Sequence, residues 1–320
     1  MSIIERAMQR GAGEKPNDTA GAPDKDPGVL DKDAAQLHGD VAGTSPAHQP
    51  EVAAGDDTRS GLESDDSAAR GSSSRPNALN LALMRRQGFL VPGDGRSVLA
   101  EEFRILKRPI LANAFGESGH RVDRRNVVMV TSALPGEGKT YTAVNLALSI
   151  ATELQRTVLL VDADVVKPSI AARTGLTVDR GLIDLLEHPG RDISDFLVRT
   201  NVPNLVVLGA GRSHGRSTEL LASAAMAQLV DELSTRYPDR LVLFDSPPML
   251  STSESSVLAR HMGQIVLTVQ AGKTPRAAVS RVVKMLDVCD IVIPVLNKAA
   301  GIPGMNYAMG YYLDGKYGRQ

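Results

Sequence analysis

The chain has no tryptophan, one cysteine in 320 residues and only five phenylalanines. A lone Cys289 cannot close an internal disulfide, which excludes a disulfide-stapled secreted scaffold. With Val288 and Ile291 beside it, Cys289 is expected to be packed, in a reducing compartment. No run approaches the ~18 consecutive apolar residues of a membrane-spanning helix. The opening Met1-Ser2-Ile3-Ile4-Glu5-Arg6 lacks the apolar stretch of a secretory signal, so a cytoplasmic chain is expected. A dominant charge is missing too. Formal net charge is −1, divided into −6 over residues 1–80 and +5 over 81–320, and neither part is basic enough to suggest nucleic-acid binding. The six histidines show no metal-ligand spacing.

What is present begins with a compositional boundary. Residues 11–76 hold only six large aliphatics, and the first aromatic of the chain is Phe89. Such a segment buries too little apolar surface to offset ~1–2 kcal/mol of backbone entropy per residue, so residues 1–76 are expected to be a disordered tether. Ile3, Ile4 and Met8 at helical spacing suit either a short docking helix over 1–10 or a frayed terminus. An ordered domain is expected over 77–300. Val98 to Phe115 reads as an amphipathic helix with Phe103, Leu106, Ile110 and Leu111 on one side, kinked or divided by Pro109. Short continuous apolar runs follow at 127–130, 158–161, 205–208, 241–244, 265–267 and 291–293, separated by helical patterns at 139–154, 217–236 and 275–287. Continuous rather than alternating hydrophobicity marks strands buried on both faces. The fold class is therefore α/β, a doubly wound, mostly parallel sheet, with ligand expected beyond the carboxyl ends of the strands.

At the end of the first run stands Ser132-Ala133-Leu134-Pro135-Gly136-Glu137-Gly138-Lys139-Thr140-Tyr141. Its tail is that of a Walker A phosphate loop, with Ala133 where the first glycine is usual. Gly136 and Gly138 let the backbone wrap a polyphosphate with no Cβ in the way, and the helix that follows aims its positive end at the phosphates. Residues 135–141 (Pro135, Gly136, Glu137, Gly138, Lys139, Thr140, Tyr141) form the expected ATP-binding set. Lys139 is expected to reach the β- and γ-phosphates and the Thr140 hydroxyl to hold Mg²⁺. Two strand ends offer carboxylates, Asp162-Ala163-Asp164 and Asp245-Ser246-Pro247-Pro248. Asp245 reads as the Walker B acid, and Thr140, Asp162 and Asp245 as the metal set. Lys139, Asp162 and Asp164 are the catalytic candidates; spacing leaves open which of the two acids engages an incoming hydroxyl.

Four of the six tyrosines, Tyr307, Tyr311, Tyr312 and Tyr317, fall in the last 14 residues among glycines. Tyrosines on a flexible tail over 301–320 suit phosphoacceptors, each able to gain about −1.5 to −2 charge.

On these motifs the chain resembles the bacterial tyrosine autokinases of exopolysaccharide synthesis and export, over about residues 77–317. The Asn77–Phe115 lead-in looks most like the subgroup that accompanies exosortase-type loci. The resemblance implies transfer of a γ-phosphoryl from Mg-ATP to tail tyrosines, usually those of a neighbouring subunit in a ring. It also implies activation by a separate polysaccharide co-polymerase in the inner membrane, which would hold the kinase at that membrane. Glu101, Arg104 and Lys107 match the family's ring-forming ExxRxxR pattern, with Lys in the last place. Two further departures are Val166 where the family carries Arg, followed by Lys167, and the absence of proline from Gly211–Thr218. Rival readings are a partitioning or division-site ATPase switch, whose signature lysine is replaced here by Leu134, and a degenerate nucleotide-binding scaffold.

Overall fold

The computed structural model describes residues 78–95, 97–116, 123–212, 215–237 and 239–299. The tether and docking helix expected over 1–76 and the tyrosine tail expected over 301–320 lie outside the described residues.

In chain order the elements are α1 (Leu81–Arg86), α2 (Val98–Phe115), β1 (Val127–Ser132), α3 (Lys139–Ala151), β2 (Thr157–Asp162), α4 (Ile170–Thr174) and α5 (Leu182–Glu187). A 3₁₀ turn (Ile193–Phe196) leads to β3 (Val198–Arg199) and β4 (Leu205–Leu208), then α6 (Ser217–Leu221) and α7 (Ala224–Arg236). The described chain ends through β5 (Arg240–Asp245), α8 (Glu254–Ala259), β6 (Gln264–Gln270), α9 (Arg276–Met285) and β7 (Val292–Asn297). All six apolar runs are strands of one sheet in the order β3-β4-β2-β5-β1-β6-β7. Every pairing is parallel except the edge pair β3–β4, where Val198 faces Val207. The doubly wound sheet expected from the runs is therefore what folds, with the two-residue antiparallel edge added.

Strand alternation explains why the runs are continuous. Val127, Met129, Leu159, Val161, Val242 and Phe244 point into a core under α5, α7, α8 and α9. Their neighbours Val128, Val130, Val158, Leu160, Leu241 and Leu243 point into a second core under α3, α2 and the lead-in. Each fully buried Val or Leu contributes about 1.5–3 kcal/mol, so these segments stay apolar on both faces. The lead-in belongs to the second core. Leu79, Met84, Phe89 and Val91 are buried there, and the Leu79 and Leu90 amides donate to Asn201 Oδ1 and Asn145 Oδ1 at 2.8 and 2.7 Å.

The patterns at 217–236 and 98–115 come out differently from expectation. The first is two helices, because Ser223 starts α7 by accepting the Met226 amide on its hydroxyl. The second is one helix, which Pro109 does not divide. Both Ile105 and Pro109 are exposed, so the carbonyl that loses its donor lies on the solvent side, where water replaces the bond.

Lys107 is the larger surprise on α2. Phe103, Lys107, Ile110 and Ala114 are its buried residues, at i, i+4, i+7 and i+11, while Leu106 and Leu111 only flank them. The Lys107 ammonium donates to Ser149 O at 2.8 Å and Thr152 Oγ1 at 3.3 Å, and pairs with Glu153 at 2.6 Å. It thus caps the negative end of α3. Glu101 and Arg104 pair with each other on the helix surface. Of the three residues matched to a ring-forming pattern, Lys107 is taken up inside its own chain. Lys107→Ala is expected to lower unfolding free energy by about 1.5–3 kcal/mol, the worth of charged hydrogen bonds. Glu101→Ala or Arg104→Ala is expected to cost under about 1 kcal/mol. Urea denaturation of the three variants checks this; an unchanged midpoint for Lys107→Ala would reject the capping role.

Candidate active site

The carboxyl ends of β1, β2 and β5 lie side by side, with Asp162 in register with Asp245 and Val130 with Asp245. The loop after β1 closes over them. Gly136 and Gly138 have φ of 83° and 104°, where a side chain is strained. At Gly138 a Cβ would also stand 2.1 Å from the Asn297 amide nitrogen, which donates to Glu137 O at 2.8 Å. Lys298 donates to Gly136 O at 2.7 Å. The loop is thus clamped from the end of β7. Gly138 gives α3 no side-chain cap, and no acidic residue occupies its first turn. The free amides and positive end of this 13-residue helix point to where an anion binds.

The loop borders a cavity of about 810 Å³ whose walls include Pro135, Gly136, Gly138, Lys139, Thr140 and Asp164. Two members of the expected ATP-binding set turn their side chains elsewhere. Glu137 is buried, its carboxylate accepting the Leu134 amide at 2.9 Å and the Thr274 hydroxyl, so it braces the loop from within. Tyr141 borders the cavity, but its hydroxyl donates to Gly88 O at 2.7 Å and its ring lies 5.1 Å from that of Phe89. It fastens the lead-in to α3.

Lys139 and three acids converge beneath the loop. The Lys139 ammonium lies 2.7 Å from Asp164 Oδ2, 3.4 Å from Asp245 Oδ1 and 3.3 Å from Thr140 Oγ1. Burial pulls its pKa down, but Asp245 and Asp164, with Asp162 behind them, outweigh that and hold it above the ordinary lysine value. Asp162 is 2% exposed. One of its oxygens accepts the Ser169 and Ile170 amides at 3.1 Å each, starting α4. Burial first, then the Asp245 charge, push the Asp162 carboxyl up to about 7. Burial raises Asp245 as well, with Lys139 pulling the other way.

Two buried oxygens, Asp162 Oδ1 and Asp245 Oδ2, have no hydrogen-bond partner. Leaving a buried charged acceptor bare costs several kcal/mol unless something else satisfies it. The Thr140 hydroxyl stands in the same cluster, 3.2 Å from Ser169 Oγ. Two carboxylate oxygens and a hydroxyl suit a small oxygen-seeking cation. Among the described residues no group of three or more His, Cys, Asp or Glu could hold a metal. A cation here would therefore complete its shell with water and ligand oxygens, as Mg²⁺ commonly does.

Every acid expected at the site is therefore in one cluster with Lys139 and Thr140. Asp164 lines the cavity, while Asp162 and Asp245 lie beneath it. Sequence reasoning had no access to Thr274 and Ser169, whose partners are 137 and 29 residues away. Asn297 and Lys298, at the end of β7, form the clamp on the loop, and Lys298 takes a φ of 57°. Among the described residues no helix is long and apolar enough to cross a membrane.

No family model matches the chain. Individual relatives do. The putative tyrosine-protein kinase EpsB of Ralstonia nicotianae is 32% identical over 219 residues, 68% of this chain and 27% of that protein. The chain therefore spans about a quarter of that relative's length. Tyrosine-protein kinase YwqD of Bacillus subtilis is 34% identical over 195 residues, 61% of this chain and 78% of that protein. Among solved structures, the BceF tyrosine kinase domain superposes with a TM-score of 0.54 and 26% identity, covering 67% of this chain and 86% of that one. By its shared sequence with a relative of which it spans more than three quarters, the chain belongs to the bacterial tyrosine-protein kinase family.

Proposed function

We propose that this chain binds Mg-ATP in the cavity beside α3 and passes the γ-phosphoryl to tyrosine hydroxyls, those of Tyr307, Tyr311, Tyr312 and Tyr317 first. The observation that carries the reading is the cluster at the strand ends: one lysine, one threonine hydroxyl and three carboxylates, two with bare oxygens. Mg²⁺, held by Thr140, Asp162 and Asp245, would supply charge neutralisation to the phosphates. Lys139 leaves Asp164 for the β- and γ-phosphate oxygens. The uncapped α3 amides hold the same oxygens and orient the γ-phosphorus towards the open cavity. Asp164, freed from its lysine and lining that cavity, accepts the phenolic proton. The phenolate oxygen bonds to the γ-phosphorus, the bond to the β–γ bridging oxygen breaks, and ADP carries away that electron pair.

The family assignment supports a role in exopolysaccharide or capsule production, and we take a membrane-embedded co-polymerase as the activator. That partner would bring the chain to the inner membrane. Self-association, in a ring or otherwise, would present one copy's tail to another's cavity.

Incubation with radiolabelled ATP and Mg²⁺, with and without the activator's cytoplasmic fragment, tests the reading. Label on tyrosine is expected. Released phosphate alone would favour an ATPase switch, and neither product a scaffold. Deleting residues 305–320 is expected to erase self-labelling while sparing ATP binding. Label persisting on Tyr141 or Tyr237 would overturn the tail assignment. The Tyr141 hydroxyl is already donated to Gly88, and the Tyr237 ring lies under Arg240 at 3.9 Å.

A further inference from the structure

Val166 stands out in the cavity wall. It is 53% exposed, and of the seven large hydrophobic side chains exposed among the described residues it alone lines this cavity. A solvent-facing Val followed by a lysine gains nothing in stability from its position. Its place is nevertheless held firmly, because Asp164 Oδ1 accepts the Lys167 amide at 3.1 Å and so closes the turn that carries Val166. The carboxylate that faces the cavity and the apolar side chain two residues on are thus parts of one rigid turn. Pro247 and Pro248 add apolar surface to the same cavity.

We infer that Val166 is a specificity residue, the wall against which the acceptor's aromatic ring lies while its hydroxyl reaches Asp164. The inference rests on the tyrosine-transfer reading above and adds how the acceptor is chosen. Asp164 is itself buried, at the foot of the wall. A phenol carries its hydroxyl a full ring's length from the backbone and can reach down while the ring covers Val166. A serine or threonine hydroxyl sits one bond past Cβ and would have to bring the peptide backbone into the cavity. An apolar wall also rewards an aromatic ring with burial that a short polar side chain does not obtain.

The test uses the full chain with Tyr307, Tyr311, Tyr312 and Tyr317 all changed to Phe, and a synthetic peptide copying residues 305–320 as acceptor. Val166→Ala is expected to raise the peptide KM about tenfold, the worth of one half-buried aliphatic contact, with ATP affinity held within about twofold. Val166→Leu, which keeps an apolar wall, is expected to stay near the parent KM. A peptide with its tyrosines replaced by Phe keeps the rings and loses only the hydroxyls, so its Kd should weaken by a similar factor in Val166→Ala. An unchanged peptide KM and Kd in Val166→Ala overturn the inference. So does an equal loss of ATP affinity, which would place Val166 against the nucleotide. A parent chain that labels no peptide, even with the activator fragment, overturns the transfer reading instead, and the Phe-peptide Kd then judges the wall by itself.

Discussion

Lys139→Met loses tyrosine labelling by a factor on the order of 10²–10³ or more and, in the same stroke, loses stability. The first effect follows from removing the ammonium that lies beneath the phosphate loop among the strand-end acids, where developing charge is met. The second follows from what the lysine does before any phosphate arrives. It is the neighbour that neutralises Asp164 and the fully buried Asp245, and breaking such a buried pair by removing one partner costs about 3–5 kcal/mol. Lys139 itself stays charged in folded and unfolded chains from pH 5 to 9, so the carboxylates set the pH window. At pH 8 the Asp162 carboxylate is charged and loses a nearby counter-charge. At pH 5 the raised Asp162 is already protonated and the loss is smaller. Unfolding free energies of Lys139→Met at both pH values check the sign, with labelling measured where the variant remains folded. Lys139→Arg restores the charge without the ammonium's shape, and is expected to recover most of the stability and little of the transfer. Labelling at the parent rate in folded Lys139→Met would remove the residue from the chemistry.

The contrast between Lys139 and Lys107 shows what the sequence disclosed and what it withheld. Lys139 was legible because its partners are carried by local motifs, glycines on one side and acids at strand ends, each following a continuous apolar run. The runs themselves are readable because both faces of β1, β2 and β5 are buried, which removes any ambiguity of period. Lys107 sits in a motif that reads as outward-facing, yet its ammonium goes to Ser149 O, 42 residues on, and only the packing of α2 on α3 brings the two together. The side chains of Glu137 and Tyr141 were hidden for the same reason. Both stand within the expected ATP-binding set, and both side chains answer to distant partners, Thr274 and Gly88. Pro109 leaves α2 undivided for a different reason. A proline's effect on a helix depends on whether the freed carbonyl meets water, and exposure at Ile105 is a property of the fold.

Asp162 provides the opposite experiment to Lys139, a substitution that should strengthen the fold while ending the chemistry. Its carboxyl is pushed up to about 7, chiefly by burial and then by Asp245, whereas in an unfolded chain it titrates near 4. Between those values the folded chain holds a proton that the unfolded chain has released, so stability falls as pH rises from about 4 to about 7. Above pH 7 the full cost is present, on the order of 4 kcal/mol for a shift of this size. Asn at this position is neutral throughout and its carbonyl oxygen can still accept the Ser169 and Ile170 amides that Asp162 accepts now. In the absence of metal and nucleotide, Asp162→Asn is therefore expected to unfold at clearly higher urea than the parent at pH 8, and at nearly the same urea at pH 4. Tyrosine transfer should be lost at both. Parent-like stability at pH 8, or a loss there, would mean that Asp162 serves the fold as a charged cap for α4. The bare oxygen beside Asp245 would then no longer count as strain held for a cation. A gain at pH 8 with transfer abolished identifies a carboxylate kept at the expense of stability for what it does with the phosphates, a trade that active sites commonly make.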